Sequence, residues 1–226
     1  MSIDLGELYS AARTRIAGLV AAMPNGADSR VCPATPEWTV HDVLAHLRGI
    51  TEDVRTGNLE GATTDPWTRA QVERHRDTTM ADLVAGWAGD APLLESVLSS
   101  GVQGGVERAV FDIHAHECDL RGALSLAGEL PDQFSVWALP LMAGGFVTQT
   151  EAAGLGSVAI ETHEGDRIGA AAADTVLRVS RFELFRSVLG RRSAAQVLAY
   201  DWGGTDPTKL LRYFFVFGPR LDDLLE

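Results

Sequence analysis

The sequence has 226 residues, a net charge of −12 and a pI of about 4.9. Nucleic acids and anionic membranes are recognised through basic surfaces, so this acidic composition argues against both as partners. No apolar run approaches the roughly 18 residues that a bilayer-spanning helix needs, and the N-terminus lacks the basic and apolar regions of a signal peptide. We therefore expect a cytoplasmic protein, in which Cys32 and Cys118 remain free thiols.

Helical periodicity dominates the first two thirds of the chain. Apolar residues recur at helical spacing from residue 4 onward, and Thr39 with Asp42 forms an N-terminal capping pattern for a second helix. A polar stretch separates this helix from a third. The predicted helices lie at 4–23, 39–54, 80–100 and 106–127, with a further helical stretch, interrupted by Pro140, at 133–154.

The pattern changes after residue 154, where β-branched residues alternate with polar ones. The predicted elements are strands at 156–165 and 174–180, a helix at 181–193, a strand at 194–202 and a final helix at 206–218. The sequence thus predicts an α+β protein. Its expected parts are an antiparallel four-helix bundle over residues 1–154 and a small C-terminal α/β domain over residues 155–226.

The segment FDIHAHECDLRGAL contains the strongest candidate site. Residues four apart share one face of a helix, so Asp112 and His116 are neighbours, Asp119 lies one turn further on, and His114 points the opposite way. His46 lies beside the apolar stripe of the second helix, which can face the fourth helix in an antiparallel bundle, so His46 is the candidate for a third metal ligand. Two histidines and a carboxylate would leave an open position on a divalent metal ion. A surface hydrogen bond and an ordinary core histidine are the alternatives.

Two motifs resemble those of a known family. TPEWTVHDVLAHLRG, residues 35–49, resembles the second-helix signature of the DinB-like metal-binding bundles, and of the mycothiol-dependent maleylpyruvate isomerase family above all. FDIHAHECDLRGAL resembles that family's fourth-helix motif. The resemblance implies a divalent metal, usually zinc, held by His46, Asp112 and His116, and mycothiol as cosubstrate. The family usually has glutamate at the position of Asp112, and the shorter side chain puts metal binding in question.

The segment VSRFELFRSVLGRRSAAQVLAYDW resembles a C-terminal domain of many actinobacterial members of the family. The resemblance implies that Arg191, after Gly190, is catalytic and clamps a substrate carboxylate, with Arg192 as the neighbouring alternative for substrate binding. It also implies a substrate-binding role for Arg69. The spacing of Asp119 would let it orient His116 or another side chain from behind, and a surface acid at the end of the helix is the equal alternative. A helix-capping cation and a surface arginine are the alternative interpretations of Arg191 and Arg69.

The function that these features imply is a metal- and thiol-dependent enzyme. It would use mycothiol to isomerise or conjugate a small electrophilic substrate that bears a carboxylate. Two alternatives remain open: a bundle that binds a metal or small ligand without turnover, as a sensor or carrier, and a scaffold whose site has decayed. The sequence leaves a monomer and a homodimer equally open.

Overall fold

The structure is a computed structural model that describes residues 3–101 and 104–226, so that Met1, Ser2, Val102 and Gln103 lie outside it. The chain forms two compact units, Met1–Gly128 and Glu129–Glu226. Within the described residues, no helix combines the length and the apolar character that crossing a membrane would need.

Four long helices form the first unit. The elements are α1 (Leu5–Ala22), β1 (Val31–Cys32), β2 (Thr35–Thr39), α2 (Val40–Thr56), α3 (Asp65–Arg74), α4 (Met80–Ser99) and α5 (Arg108–Ala123). Helix α1 packs on α4 and α5, and α2 packs on α3, α4 and α5. The side chains buried between them include Ala12, Ile16, Val43, Leu44, Leu47, Leu83, Trp87, Leu94, Val110 and Ile113. The four predicted helices of the bundle are confirmed.

Helix α2, which carries His46, has defined signals at both ends. The Thr39 hydroxyl accepts a hydrogen bond from the Asp42 amide, and the Asp42 carboxylate accepts one from the Thr39 amide, so the predicted capping arrangement is confirmed. Gly57 ends the helix in the left-handed conformation, with φ of 75°. The short antiparallel ribbon of β1 and β2 leads directly into this helix.

Helix α3 is not among the predicted elements, because it lies in a polar stretch with little apolar periodicity. Gln71 is its only buried residue, and Pro66 in its first turn is the one local signal of a helix start. The helix lies close against α2 at Gly49. A Cβ atom added there would lie 2.5 Å from the Gln71 Cβ, so only glycine permits this approach without a shift.

The second unit combines helices with a three-stranded sheet. Its elements are α6 (Asp132–Ala152), β3 (Val158–Thr162), β4 (Arg167–Gly169), β5 (Thr175–Val179), α7 (Arg181–Val188), α8 (Ala194–Leu198) and α9 (Leu211–Phe214). The strand order is β4-β3-β5. Strand β3 pairs antiparallel with β4 and parallel with β5. Together with the helical first unit, this confirms the predicted α+β class.

Helix α6 packs within the second unit, against α7, α9, β3 and β4. Its aromatic side chains explain this, because the ring of Phe134 lies 5.2 Å from that of Phe185 and the ring of Phe146 lies 5.1 Å from that of Phe214. The compact units therefore divide before α6, at Gly128 and Glu129, whereas the boundary predicted from the sequence follows it, at residue 154.

Several details of the second unit differ from the prediction. Strand β4 is not among the predicted elements, and α7 ends at Val188 instead of residue 193. Residues 194–198 form a helix instead of a strand, because Ser193 and Gln196 make a capping box that starts a helical turn. The final helix is limited to Leu211–Phe214. Pro140 does not interrupt α6, whose buried face continues past it through Ala143 and Phe146.

Candidate metal centre

Helices α2 and α5 bring three donor side chains together. His46, Asp112 and His116 each offer one ligand atom, and these atoms all lie within 4.8 Å of one another. Asp112 lies between the two histidines: its Oδ2 is 3.2 Å from Nε2 of His46, and its Oδ1 is 3.5 Å from Nε2 of His116. The spacing of four residues on α5 thus places Asp112 and His116 on one face, as the sequence predicts.

The cluster is buried on the histidine side and open on the carboxylate side. His46 and His116 are 4% and 5% exposed, whereas the side chain of Asp112 is 34% exposed. The Nε2 atoms of both rings face this carboxylate. The donor set is therefore open to solvent at Asp112, while both imidazole rings are enclosed by protein.

Each histidine has a polar partner on its Nδ1 atom. The Asp119 Oδ2 lies 3.0 Å from Nδ1 of His116, which is the contact that the sequence predicts. Nδ1 of His46 lies 2.7 Å from Oε1 of Gln71. Sequence reasoning missed Gln71, because nothing in a polar stretch indicates that one of its glutamines is buried or which side chains it contacts.

The charges of the cluster control its protonation. Burial disfavours ionisation of Asp112, but His116 and His46 outweigh it and hold the pKa of this carboxyl far below its ordinary value. Burial likewise disfavours the imidazolium form of His116, yet Asp112 and Asp119 raise its pKa to about 9. The two carboxylates therefore favour a cation at this position, whether a proton or a metal ion.

Trp38 packs against both histidine rings. Its ring centroid lies 5.0 Å from that of His46 and 5.5 Å from that of His116. On the sequence alone Trp38 is a packing residue beneath the start of α2, and the structure adds this contact with the donors. A pocket of about 350 Å³ lies beside Trp38, and its other lining residues are Glu37, Asp42, Asp65, Thr68, Arg69 and Val72. The predicted substrate-binding Arg69 is thus exposed at a pocket.

The other histidine of the motif takes no part in the cluster. His114 is buried, and its Nδ1 lies 2.8 Å from the carbonyl oxygen of Val110. Burial lowers the pKa of His114 to about 3. This confirms that His114 points away from the face that carries Asp112 and His116.

The predicted arginines of the second unit occupy different environments. Gly190, with φ of 74°, and Arg191 end α7, and their amides donate to the carbonyls of Ser187 and Arg186. This is the hydrogen-bond pattern of a glycine-terminated helix. Arg192 is 2% exposed, and its guanidinium donates two hydrogen bonds to Glu183 and one to Glu226.

The arrangement distinguishes the two arginines. A substrate carboxylate could reach Arg192 only by displacing carboxylates that already bind its guanidinium. Arg191 is half-buried, and its guanidinium donates to the Leu189 carbonyl oxygen at 3.3 Å.

Comparison with known proteins identifies the bundle. The chain matches the family described as mycothiol maleylpyruvate isomerase N-terminal domain over residues 9–121, which is half of its length. The matched segment runs from α1 into α5 and includes all three donor residues. No curated protein and no solved structure matches the chain. The match ends before the second unit, so the roles of Arg191 and Arg192 stay predictions.

Proposed function

The chain belongs to the family of the mycothiol maleylpyruvate isomerase N-terminal domain, with its DinB-like helical bundle, and we propose that it is a metal- and thiol-dependent enzyme. Its thiol cosubstrate is mycothiol, and it isomerises or conjugates a small electrophilic substrate that bears a carboxylate. The observation that carries this proposal is the convergence of His46, Asp112 and His116 within 4.8 Å.

The donor set fits a divalent first-row metal ion. Two imidazole nitrogens and one carboxylate oxygen, with a fourth position open, are typical of catalytic zinc sites. The substitution of aspartate for the family's usual glutamate is compatible with binding, because the Asp112 oxygens already lie beside both Nε2 atoms. Zinc is the metal that we propose, although imidazole and carboxylate ligands also suit other first-row ions.

The side chains of the cluster have separate tasks in this proposal. His46 and His116 present nitrogen ligands, and Asp112 supplies negative charge on the open side. Asp119 accepts the Nδ1 proton of His116, so that Nε2 is the nitrogen whose proton a metal ion would displace. A divalent cation bound here would favour the thiolate over the thiol form of a coordinated cosubstrate and so provide a strong nucleophile at neutral pH.

The reaction that follows from a thiolate at this position is addition to an activated double bond. The thiolate sulfur would form a bond to carbon, the electron pair of the double bond would move onto the activating carbonyl as an enolate, and the resulting carbon–carbon single bond could rotate. Elimination would then return the electron pair, break the carbon–sulfur bond, release the thiolate and restore the double bond in the trans arrangement. In a conjugation, the adduct instead takes up a proton and is released.

Arg69 of the first unit and Arg191 of the second are each proposed, independently, as an arginine that binds a carboxylate. A guanidinium binds a carboxylate through two parallel hydrogen bonds, which fixes the orientation of the reacting carbon atoms. Arg69 is supported by its position at the pocket beside Trp38. Arg191 is supported by the resemblance of the second unit and by its half-buried position at the end of α7.

Metal content tests the proposal first. We would measure it by mass spectrometry on untagged protein, on the double variant His46→Ala, His116→Ala, and on His163→Ala, which removes an exposed histidine elsewhere. We expect near-stoichiometric metal in the wild type and in His163→Ala, and none in the double variant. The three proteins are then assayed with maleylpyruvate and related electrophiles, with and without mycothiol.

The outcomes separate the alternatives. Metal together with a mycothiol-dependent reaction supports the enzyme. Tight metal binding without any thiol-dependent reaction across the screen points to a sensor or carrier. Wild-type protein that stays metal-free after incubation with zinc, nickel or iron(II) would contradict the proposal and leave a scaffold whose site has decayed.

A further inference from the structure

Gln71 lies behind His46, on the side away from Asp112. It is fully buried on α3, and its Oε1 lies 2.7 Å from the Nδ1 atom of His46. The other end of the amide donates a hydrogen bond from Nε2 to Oδ2 of Asp53, also at 2.7 Å. The three side chains thus form a buried series from Asp53 through Gln71 to His46.

The carboxylate of Asp53 fixes the orientation of the Gln71 amide. Asp53 is fully buried on α2 and also accepts hydrogen bonds from Asn58 Nδ2 and Arg74 Nη1. Burial would raise its pKa, but these donors outweigh it and lower the pKa below its ordinary value. An ionised carboxylate only accepts hydrogen bonds. The NH₂ group of Gln71 must therefore face Asp53, which leaves its oxygen to face His46.

This orientation determines which nitrogen of His46 carries a proton. An amide oxygen is only an acceptor, so Nδ1 of His46 must be the donor. The other ring nitrogen, Nε2, points towards Oδ2 of Asp112 at 3.2 Å. A proton on Nε2 can donate to this carboxylate, and a metal ion at the cluster would take the place of that proton. Only an unprotonated ring nitrogen binds a metal ion.

We propose that Gln71, oriented by Asp53, is a positioning residue that holds His46 in the Nδ1–H tautomer and directs its Nε2 lone pair at the metal position. This inference rests on the proposed function, because it assigns a role to residues behind one of the proposed ligands. Gln71 and Asp53 touch neither the metal position nor a substrate. They act through His46 alone.

A glycine on α2 makes the contact of Gln71 with His46 and Asp53 possible. His46, Gly49 and Asp53 lie at positions i, i+3 and i+7 of α2, which is one face of the helix. Gly49 allows α3 to approach so closely that Gln71 fits between His46 and Asp53. A leucine at position 71 has nearly the same volume and would fill the space, so packing alone does not require an amide here.

The experiment compares four proteins: the wild type, Gln71→Leu, Gln71→Glu and Thr51→Val. Thr51 is a buried α2 residue whose hydroxyl bonds to the Arg48 carbonyl, so its variant controls for the loss of one buried hydrogen bond. Gln71→Glu keeps an acceptor for Nδ1 and can share a proton with Asp53. Two quantities are measured: the tautomer of His46 and the affinity for zinc.

The tautomer is read from two-bond ¹H–¹⁵N NMR spectra of metal-free protein, at a pH where the ¹⁵N shifts show a neutral ring. Gln71 accepts from the Nδ1–H form and Asp112 from the Nε2–H form, so we expect the fraction of the Nδ1–H form to be larger in the wild type, Thr51→Val and Gln71→Glu than in Gln71→Leu. Gln71→Leu removes the acceptor, so we expect a shift towards the Nε2–H form, which donates to Asp112. Zinc affinity, from competition with a chelator, should fall about 10- to 100-fold in Gln71→Leu, stay near the wild-type value in Thr51→Val, and be at least as high as in the wild type in Gln71→Glu.

The results that would overturn the inference are distinct from those that would overturn the proposed function. If Gln71→Leu has the same fraction of the Nδ1–H tautomer as the wild type, or matches Thr51→Val in zinc affinity, Gln71 does not position His46. If the wild type fails to bind zinc while its tautomer still depends on Gln71, the proposed function fails and the structural role of Gln71 stands.

Discussion

The two histidines of the cluster reach the same arrangement by different routes. His116 is held from its own helix, because Asp119 lies one turn further along α5 and its carboxylate binds Nδ1 directly. His46 is held from a neighbouring helix by the neutral amide of Gln71. The charged Asp53 does not contact His46 but accepts a hydrogen bond from the other end of that amide. One support is local and charged, whereas the other is long-range and polar.

This difference has a chemical consequence. A carboxylate that accepts the Nδ1 proton orients the ring and also increases the electron density at Nε2, which strengthens the bond to a metal. A neutral amide mainly orients the ring. We therefore expect the charged support of His116 to contribute more to metal affinity than the amide behind His46, although both rings lie in the same cluster.

The largest effect is expected at Asp112, which both histidines face. In Asp112→Asn the amide is a poor ligand, so zinc affinity should fall by about 100-fold or more, beyond the range of changes to residues behind the ligands. Chelator competition measures this affinity. Asp112→Glu is the matched control, because it restores the residue usual in the family and should stay close to the wild type. Equal losses in the two variants would show that the charge of Asp112 is not what binds the metal.

Asp119→Asn tests the charged support of His116. It keeps an acceptor near Nδ1 but removes the charge, so we expect zinc affinity to fall about 10- to 100-fold. Within this range the loss should exceed that of Gln71→Leu, if a charged partner contributes more than a neutral one. The same chelator competition gives both values. A smaller loss in Asp119→Asn than in Gln71→Leu would reverse the ranking of the two supports.

Gly49→Ala tests how closely α3 must approach α2. The new Cβ would lie 2.5 Å from the Gln71 Cβ, so we expect the free energy of unfolding to fall by about 1–3 kcal/mol. Zinc affinity should fall as well, because Gln71 moves away from His46. Urea unfolding and chelator competition measure the two effects.

Gly18→Ala in α1 is the control for Gly49→Ala. No atom lies within 4 Å of the added Cβ, and alanine is the better helix former, so unfolding should cost up to about 1 kcal/mol more. Zinc affinity should not change. If Gly49→Ala also stabilised the protein, the close contact between α2 and α3 would not be a constraint on the site.

The local support could be predicted from the sequence, and the long-range one could not. Asp112, His116 and Asp119 share one helix, so their spacing alone places them on one face. His46 required the further step that α2 packs on α5, which the bundle pattern supplied. Gln71 required the position of α3, a helix with one buried residue in a polar segment, which no periodicity indicates.

The second unit shows a related limit of sequence reasoning. Short elements depend on local capping and on tertiary contacts more than on apolar alternation. The segment after Ser193 has the alternation of a strand, yet the Ser193–Gln196 capping box begins a helix of five residues. Helix α6 lacks a strong apolar stripe, and its packing against α7, α9, β3 and β4 is what shows that it belongs with the second unit.

The smallest effect concerns His114, which shares α5 with His116 but has the opposite protonation behaviour. Burial lowers the pKa of His114 to about 3, with a small opposing contribution from its bond to Val110. The unfolded chain titrates near pH 6.5. The neutral ring therefore contributes stability that is fully present above pH 6.5 and is lost as the pH falls from there towards 3.

His114→Gln removes this titration and keeps a donor for the Val110 carbonyl. When the pH falls from 7.5 to 5.5, the free energy of unfolding should decrease by about 1 kcal/mol more in the wild type than in the variant. Urea unfolding at both pH values, in the presence of a chelator, measures this difference. His163→Gln, at an exposed position, should behave as the wild type. An equal pH dependence in His114→Gln and the wild type would mean that burial on α5 does not lower the pKa of His114. Burial would then also lower the pKa of His116 less than the comparison with His114 implies, and Asp112 and Asp119 would need to raise it by less.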